Sequence, residues 1–108
     1  MHIRSLADLR AGRAASGRPY LEFQRSDALS VGLYVMAAGG IDRQQPHSED
    51  EVYVVMSGRA QFTAGNETRP VSAGDTIFVA AGVPHRFHDV IDELELIVVF
   101  APPESAAD

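Results

Sequence analysis

The chain predicts an all-β fold, an antiparallel sandwich or small barrel. Three features of the sequence carry this reading: many short strand-like runs, glycine-rich turns between them, and little that reads as helix. At 108 residues the length favours one domain, large enough to bury a core without disulfide or metal staples.

Ser5 is placed to cap a short helix over residues 6–10, which Gly12 would end. Residues 1–19 thus form an N-terminal helical arm. After Gly17-Arg18-Pro19 the character changes, with strands predicted over 20–24 and 29–37 and Asp27 in the turn between them. Ala38-Gly39-Gly40 opens a polar loop over 41–46. Strand-like runs return over 51–56, 60–64, 68–72, 76–80, 85–89 and 94–100. Gly39, Gly58, Gly74 and Gly82 read as turn residues at positive φ. The barrel domain spans residues 20–101, and a tail over 102–108 is expected to be disordered.

Composition excludes several function classes. The formal net charge is -6 and the basic residues are scattered, so no patch is available to neutralise phosphates and nucleic acid is not an expected partner. No apolar run approaches the roughly 20 residues that span a bilayer. The N-terminus lacks the apolar stretch of a signal peptide, which makes a cytoplasmic location the expectation. Cysteine is absent, which removes thiolate nucleophiles, iron–sulfur ligation and cysteine zinc sites. Lysine is absent too, all nine basic residues being arginine, so Schiff-base chemistry and lysine-dependent phosphate loops are lost. Histidine and carboxylate remain.

Two segments concentrate them. Gln45-Pro46-His47-Ser48-Glu49-Asp50-Glu51 precedes the run from Val52, and Pro84-His85-Arg86-Phe87-His88 follows Gly82. Side chains alternate along a strand, so residues 45, 47, 49 and 51 share one face if this segment is extended. His47, His85 and Glu51 supply two imidazoles and a carboxylate, the donor set of the facial triad of non-haem iron sites. Gln45 is divided between ligation, a hydrogen bond and a plain loop role. Glu49 shares the parity of the ligands, but the acidic loop around it favours a solvated carboxylate. His88 has the opposite parity to His85 and should face outward. Phe87 and Tyr53 read as barrel core. The Tyr53 hydroxyl, if buried, needs a partner and could act as an acid or an orienting donor. Arg43 and Arg86 flank the segments and read as surface residues, with anion binding as their functional alternative.

The two segments resemble the paired motifs of the cupin family. Gly39, His47, Glu51 and Gly58 fall in register with the first motif, and Gln45 stands where its first histidine would be. Gly74, Gly82 and His85 fall in register with the second, Ala80 replacing its proline and Asp89 its final asparagine. The resemblance covers roughly residues 20–101. It implies a jelly-roll β-barrel, often dimeric, holding one divalent metal through Gln45, His47, Glu51 and His85. Iron is the leading expectation, with zinc, manganese or nickel as alternatives. A glutamine in the ligand set also looks like that of larger sugar-phosphate isomerases of the superfamily, though the likeness stops at the ligands.

The expected function is a small metal-dependent oxidoreductase of dioxygenase type acting on a small organic molecule, with Glu51 and Tyr53 as candidate catalytic groups. The alternatives are a metal-dependent isomerase or lyase of a hydroxy-carbonyl compound, with Glu49 or Tyr53 moving the proton, and a non-catalytic binding barrel. The apolar run over 94–100 is a candidate homodimer surface.

Overall fold

The computed structural model of the chain describes residues 1–44 and 46–105. Among these residues a single helix, α1 (Leu6–Ser16), precedes six strands: β1 (Tyr20–Arg25), β2 (Ser30–Met36), β3 (Asp50–Ala64), β4 (Glu67–Ser72), β5 (Thr76–Val79) and β6 (His85–Ala101). Every pairing is antiparallel. Among the described residues no helix is long and apolar enough to cross a membrane.

Two long strands build the barrel. The first half of β3 lies between β5 and the C-terminal half of β6, with Glu51 opposite Val79 and Phe100. Its second half lies between β4 and the N-terminal half of β6, with Phe62 opposite Arg69 and Phe87. β2 and β1 extend the first layer beyond β6. Both long strands therefore pass from one layer to the other, and the register of their ladder shifts between Val55 and Gln61, where they bend.

Sequence patterning predicted each long strand as two short ones. The breaks were inferred at residues that a bent strand also needs. Gly58 sits at φ 96, and a Cβ there would lie 2.3 Å from the Glu93 carbonyl oxygen, so only glycine fits the crossing. Asp89 holds φ 49, a left-handed conformation that Asp and Asn tolerate best. Gly39, Gly74 and Gly82 adopt positive φ, as predicted.

Alternation then sorts the side chains. Tyr53, Val55, Phe62, Phe87, Leu94, Leu96, Val98 and Phe100 point inward and form the core. Each large apolar side chain so buried contributes about 1.5–3 kcal/mol.

The helix is longer than expected. Ser5 caps it by accepting the Asp8 amide, but Gly17, in the left-handed conformation, ends it instead of Gly12. Gly12 stays helical and faces Leu21 of β1. Arg10 holds the helix to the outside of the barrel through two bonds of 2.8 Å to the Glu95 carboxylate. That pairing accounts for a buried glutamate in β6.

The tail, expected to be disordered from residue 102, packs back through Ser105. The Glu104 amide donates to Ser30 Oγ at 2.8 Å, and Ser105 Oγ donates to Glu49 at 3.0 Å. Residues 106–108 lie outside the described part.

Candidate functional site

The site lies inside the barrel, where the loop between β2 and β3 crosses its mouth. Asp42 fastens this loop. Its Oδ2 accepts the Phe87 amide at 2.9 Å and Gln44 Nε2 at 3.0 Å; its Oδ1 accepts the Tyr34 hydroxyl and the Gln44 amide, both at 3.1 Å. A carboxylate only accepts, so Gln44 must turn its amide nitrogen to Asp42 and its oxygen away.

That oxygen meets the Tyr53 hydroxyl at 2.9 Å. Tyr53 comes from β3 and is fully buried. Its oxygen stands 3.0 Å from Nε2 of His85, the first residue of β6, and His85 Nδ1 stands 2.8 Å from the Val83 carbonyl. The directions of these bonds follow from one another. The carbonyl fixes a proton on His85 Nδ1. Tyr53 gives its proton to Gln44, so its oxygen accepts from His85 Nε2. This arrangement favours the protonated ring, and a carboxylate stands next to it: Glu51 Oε1 lies 2.8 Å from Nε2.

Burial disfavours the charged imidazole, but the contacts to Glu51 and Val83 and the field of Asp42 outweigh it and hold the His85 pKa above its ordinary value. Burial pushes the Tyr53 hydroxyl well above the usual phenol range, with Glu51 adding to the effect, so it remains a donor. Glu51 itself is 1% exposed, and its contact with His85 is not aligned as a hydrogen bond, so among the described residues neither carboxylate oxygen has a hydrogen-bond partner.

His47 approaches from the loop. Its carbonyl accepts the Gly82 amide at 2.7 Å, tying the two motif segments together. Its ring packs edge-on to Phe100, with centroids 4.7 Å apart, and lies 6.2 Å from the His85 ring. Nδ1 is 3.6 Å from the Glu104 carboxylate, while Nε2 is buried without a hydrogen-bond partner among the described residues.

Glu51, Tyr53 and His85 thus meet, and His47 stands one ring away. Among the described residues no group of three His, Asp or Glu side chains is close enough together to hold a metal ion. Gln45 lies outside the described residues. The donor chemistry nonetheless fits a cation: among the described residues His47 Nε2 and Glu51 Oε2 are buried with no hydrogen-bond partner, and Glu51 Oε1 has only its ion-pair contact with His85.

Glu49 is not the solvated carboxylate that the acidic loop suggested. It is 3% exposed and accepts from the Ser48 and Ser105 hydroxyls. Burial works against its charge, but these bonds prevail and lower its pKa. β3 begins only at Asp50, so strand alternation does not govern residue 49. His88 faces away, bonded to Thr63 and Asp89. Phe87 is core, and Arg43 and Arg86 are exposed.

Sequence reading missed Asp42 and Gln44. The one local signal was an Asp in position to accept the amide two residues on, an Asx turn.

The family model described as "Cupin domain" matches residues 32–101. An uncharacterised protein of Streptomyces coelicolor is 51% identical over 100 residues, 93% of this chain and 95% of its own length. A crystal structure from Bacillus halodurans superposes with a TM-score of 0.80 at 20% identity, over 97% of this chain and 83% of that one. An RmlC-like cupin of double-stranded β-helix fold from Methanocaldococcus jannaschii superposes with a TM-score of 0.70 at 18% identity, over 77% and 78% of the two chains.

Proposed function

This chain belongs to the cupin family, and from that premise we propose that its barrel holds one divalent metal ion and serves an oxidoreductase of dioxygenase type on a small organic molecule. His47, Glu51 and His85 would hold the ion, with Gln45 as a fourth donor. The observation that carries the reading is the set of buried acceptors on His47 and Glu51 that nothing in the described protein satisfies, beside His85. Two imidazoles and one carboxylate favour iron over zinc, manganese or nickel. When bound, such an ion supplies Lewis acidity and, as iron, electrons for O₂ chemistry.

The chain's own residues do the rest. Val83 fixes the His85 tautomer through Nδ1 and leaves Nε2 for the ion in place of a proton. An ion bound there would take the place of that proton, so its uptake would release one. Tyr53, held between Gln44 and His85, is an orienting donor: its raised pKa makes it a poor acid. Glu49 is occupied by two serine hydroxyls. Neither residue is free to shuttle a proton, which sets the isomerase or lyase reading second.

Cobalt(II) titrated into metal-free protein should give d–d absorption saturating at one equivalent. Iron-loaded protein should consume O₂ in step with loss of an organic substrate from a panel of small oxygenated compounds. Turnover without O₂ on zinc- or manganese-loaded protein would move the assignment to isomerase or lyase chemistry.

The proposal includes a homodimer. Alternation divides the apolar run of β6: Leu94, Leu96, Val98 and Phe100 point inward, while Ile97 and Val99 face out. These two continue across Val52 and Val54 to Phe78, which is 65% exposed. α1 covers the other end of that face, over Leu21 and Leu33.

A further inference from the structure

A chamber of about 260 Å³ opens beside His47. It is smaller than the roughly 300–1,000 Å³ typical of sites for drug-sized ligands. Val98, Phe100 and the Tyr20 ring give it an apolar wall, Arg43 lies on its rim, and Glu104 of the tail lines it. The Tyr20 hydroxyl is buried there without a hydrogen-bond partner among the described residues.

Its position is built in. A Cβ on Gly32 of β2 would stand 2.2 Å from the end of the Tyr20 side chain, so the missing side chain is the space in which the phenol lies. Phe100 and Tyr34 flank the ring edge-on, with centroids 6.5 and 6.3 Å away. Burial, then the charges of Glu104, Glu22 and Glu51, keep this phenol protonated and therefore a donor.

Charge narrows the class further. Glu104 lines the chamber, and Asp42, Glu49 and Glu51 stand close behind it. Counted with Glu22, these five carboxylates outnumber the Arg43 and Arg25 guanidiniums and the two charges of a divalent ion together. A doubly charged anion would be repelled, whereas a neutral molecule or a single carboxylate would not.

We propose that this chamber is the ligand site and that it takes a small, partly apolar oxygen compound, uncharged or singly anionic, with Tyr20 donating to one of its oxygens. Phosphorylated compounds are excluded from it. The proposal rests on the barrel-interior reading above only for where the ligand's reacting atoms lie.

The test is a ¹H–¹⁵N NMR titration of metal-free and zinc-loaded protein with benzyl alcohol, benzoate and phenyl phosphate, which share a ring and differ in charge. Benzyl alcohol and benzoate should shift the amides of Tyr20, His47 and Phe100, and phenyl phosphate should bind at least about tenfold more weakly. Tyr20→Phe should weaken the first two about five- to tenfold. Glu104→Gln, on the tail and outside the core, should strengthen phenyl phosphate severalfold. Equal binding of benzoate and phenyl phosphate, or unchanged binding by Tyr20→Phe, would overturn the proposal. Protein that takes up zinc but none of the probes would overturn it while leaving the metal reading in place. Protein that binds the probes as predicted but no zinc would do the reverse.

Discussion

Tyr53 joins the loop across the barrel mouth to the ligand strand, because one hydroxyl serves both Gln44 and His85. Tyr53→Phe keeps the ring and its packing against Phe62 and Phe87 but takes the donor from the half-buried Gln44 oxygen. It should cost about 1–3 kcal/mol in urea unfolding. The same network sets a pH dependence. Because the folded His85 pKa lies above the ordinary 6.5, its charged form stabilises metal-free protein fully below that value, and the contribution is lost as pH rises through the folded pKa. Histidine NMR should place the His85 titration above 6.5, and Glu51→Gln should bring it down. Glu51 and Tyr53 were legible in the sequence because strand parity puts them on one face, and His85 because it falls in register with the second motif. Asp42 and Gln44 were not, since a loop has no period and their roles depend on the folded positions of Phe87, 45 positions from Asp42, and of Tyr53. Glu49 was misread for a related reason: the Ser105 hydroxyl that helps to bury it comes from the tail, 56 positions away.

At the scale of elements, glycine carries two opposite meanings. Gly58 lets β3 cross from one layer to the other against the Glu93 carbonyl, at a φ that a side chain resists. Gly58→Ala should therefore destabilise the protein by more than about 1 kcal/mol. Gly12 lies inside α1, and a Cβ there meets only Leu21 Cδ2 at 3.4 Å, an ordinary contact. Gly12→Ala should stabilise by about 0.5–1 kcal/mol. Chemical denaturation of the two variants tests both signs at once. The contrast also explains which boundaries the sequence concealed. A glycine reads as punctuation, yet Gly58 lies within a continuous strand and Gly12 within a helix. The strand positions themselves were legible, because inward Tyr53 and Val55 alternate with the less buried Val52, Val54 and Met56.

For the whole molecule, the proposed dimer and the proposed metal centre use opposite faces of the same strands. Val99 faces outward one position before Phe100, which packs against His47. Light scattering on the gel-filtration peak should find a dimer for wild type, and Val99→Arg should convert it to a monomer that keeps its fold and its metal. A wild-type monomer at working concentration would remove the dimer from the proposal. The central claim is the ion itself. Mass-spectrometric metal analysis of protein purified without a histidine tag, compared with Glu51→Ala and His85→Ala, tests it most directly. The expected result is close to one divalent ion per chain, iron foremost, lost in both variants. Wild-type protein that carries no metal and cannot be loaded with iron, zinc, manganese or nickel would contradict it.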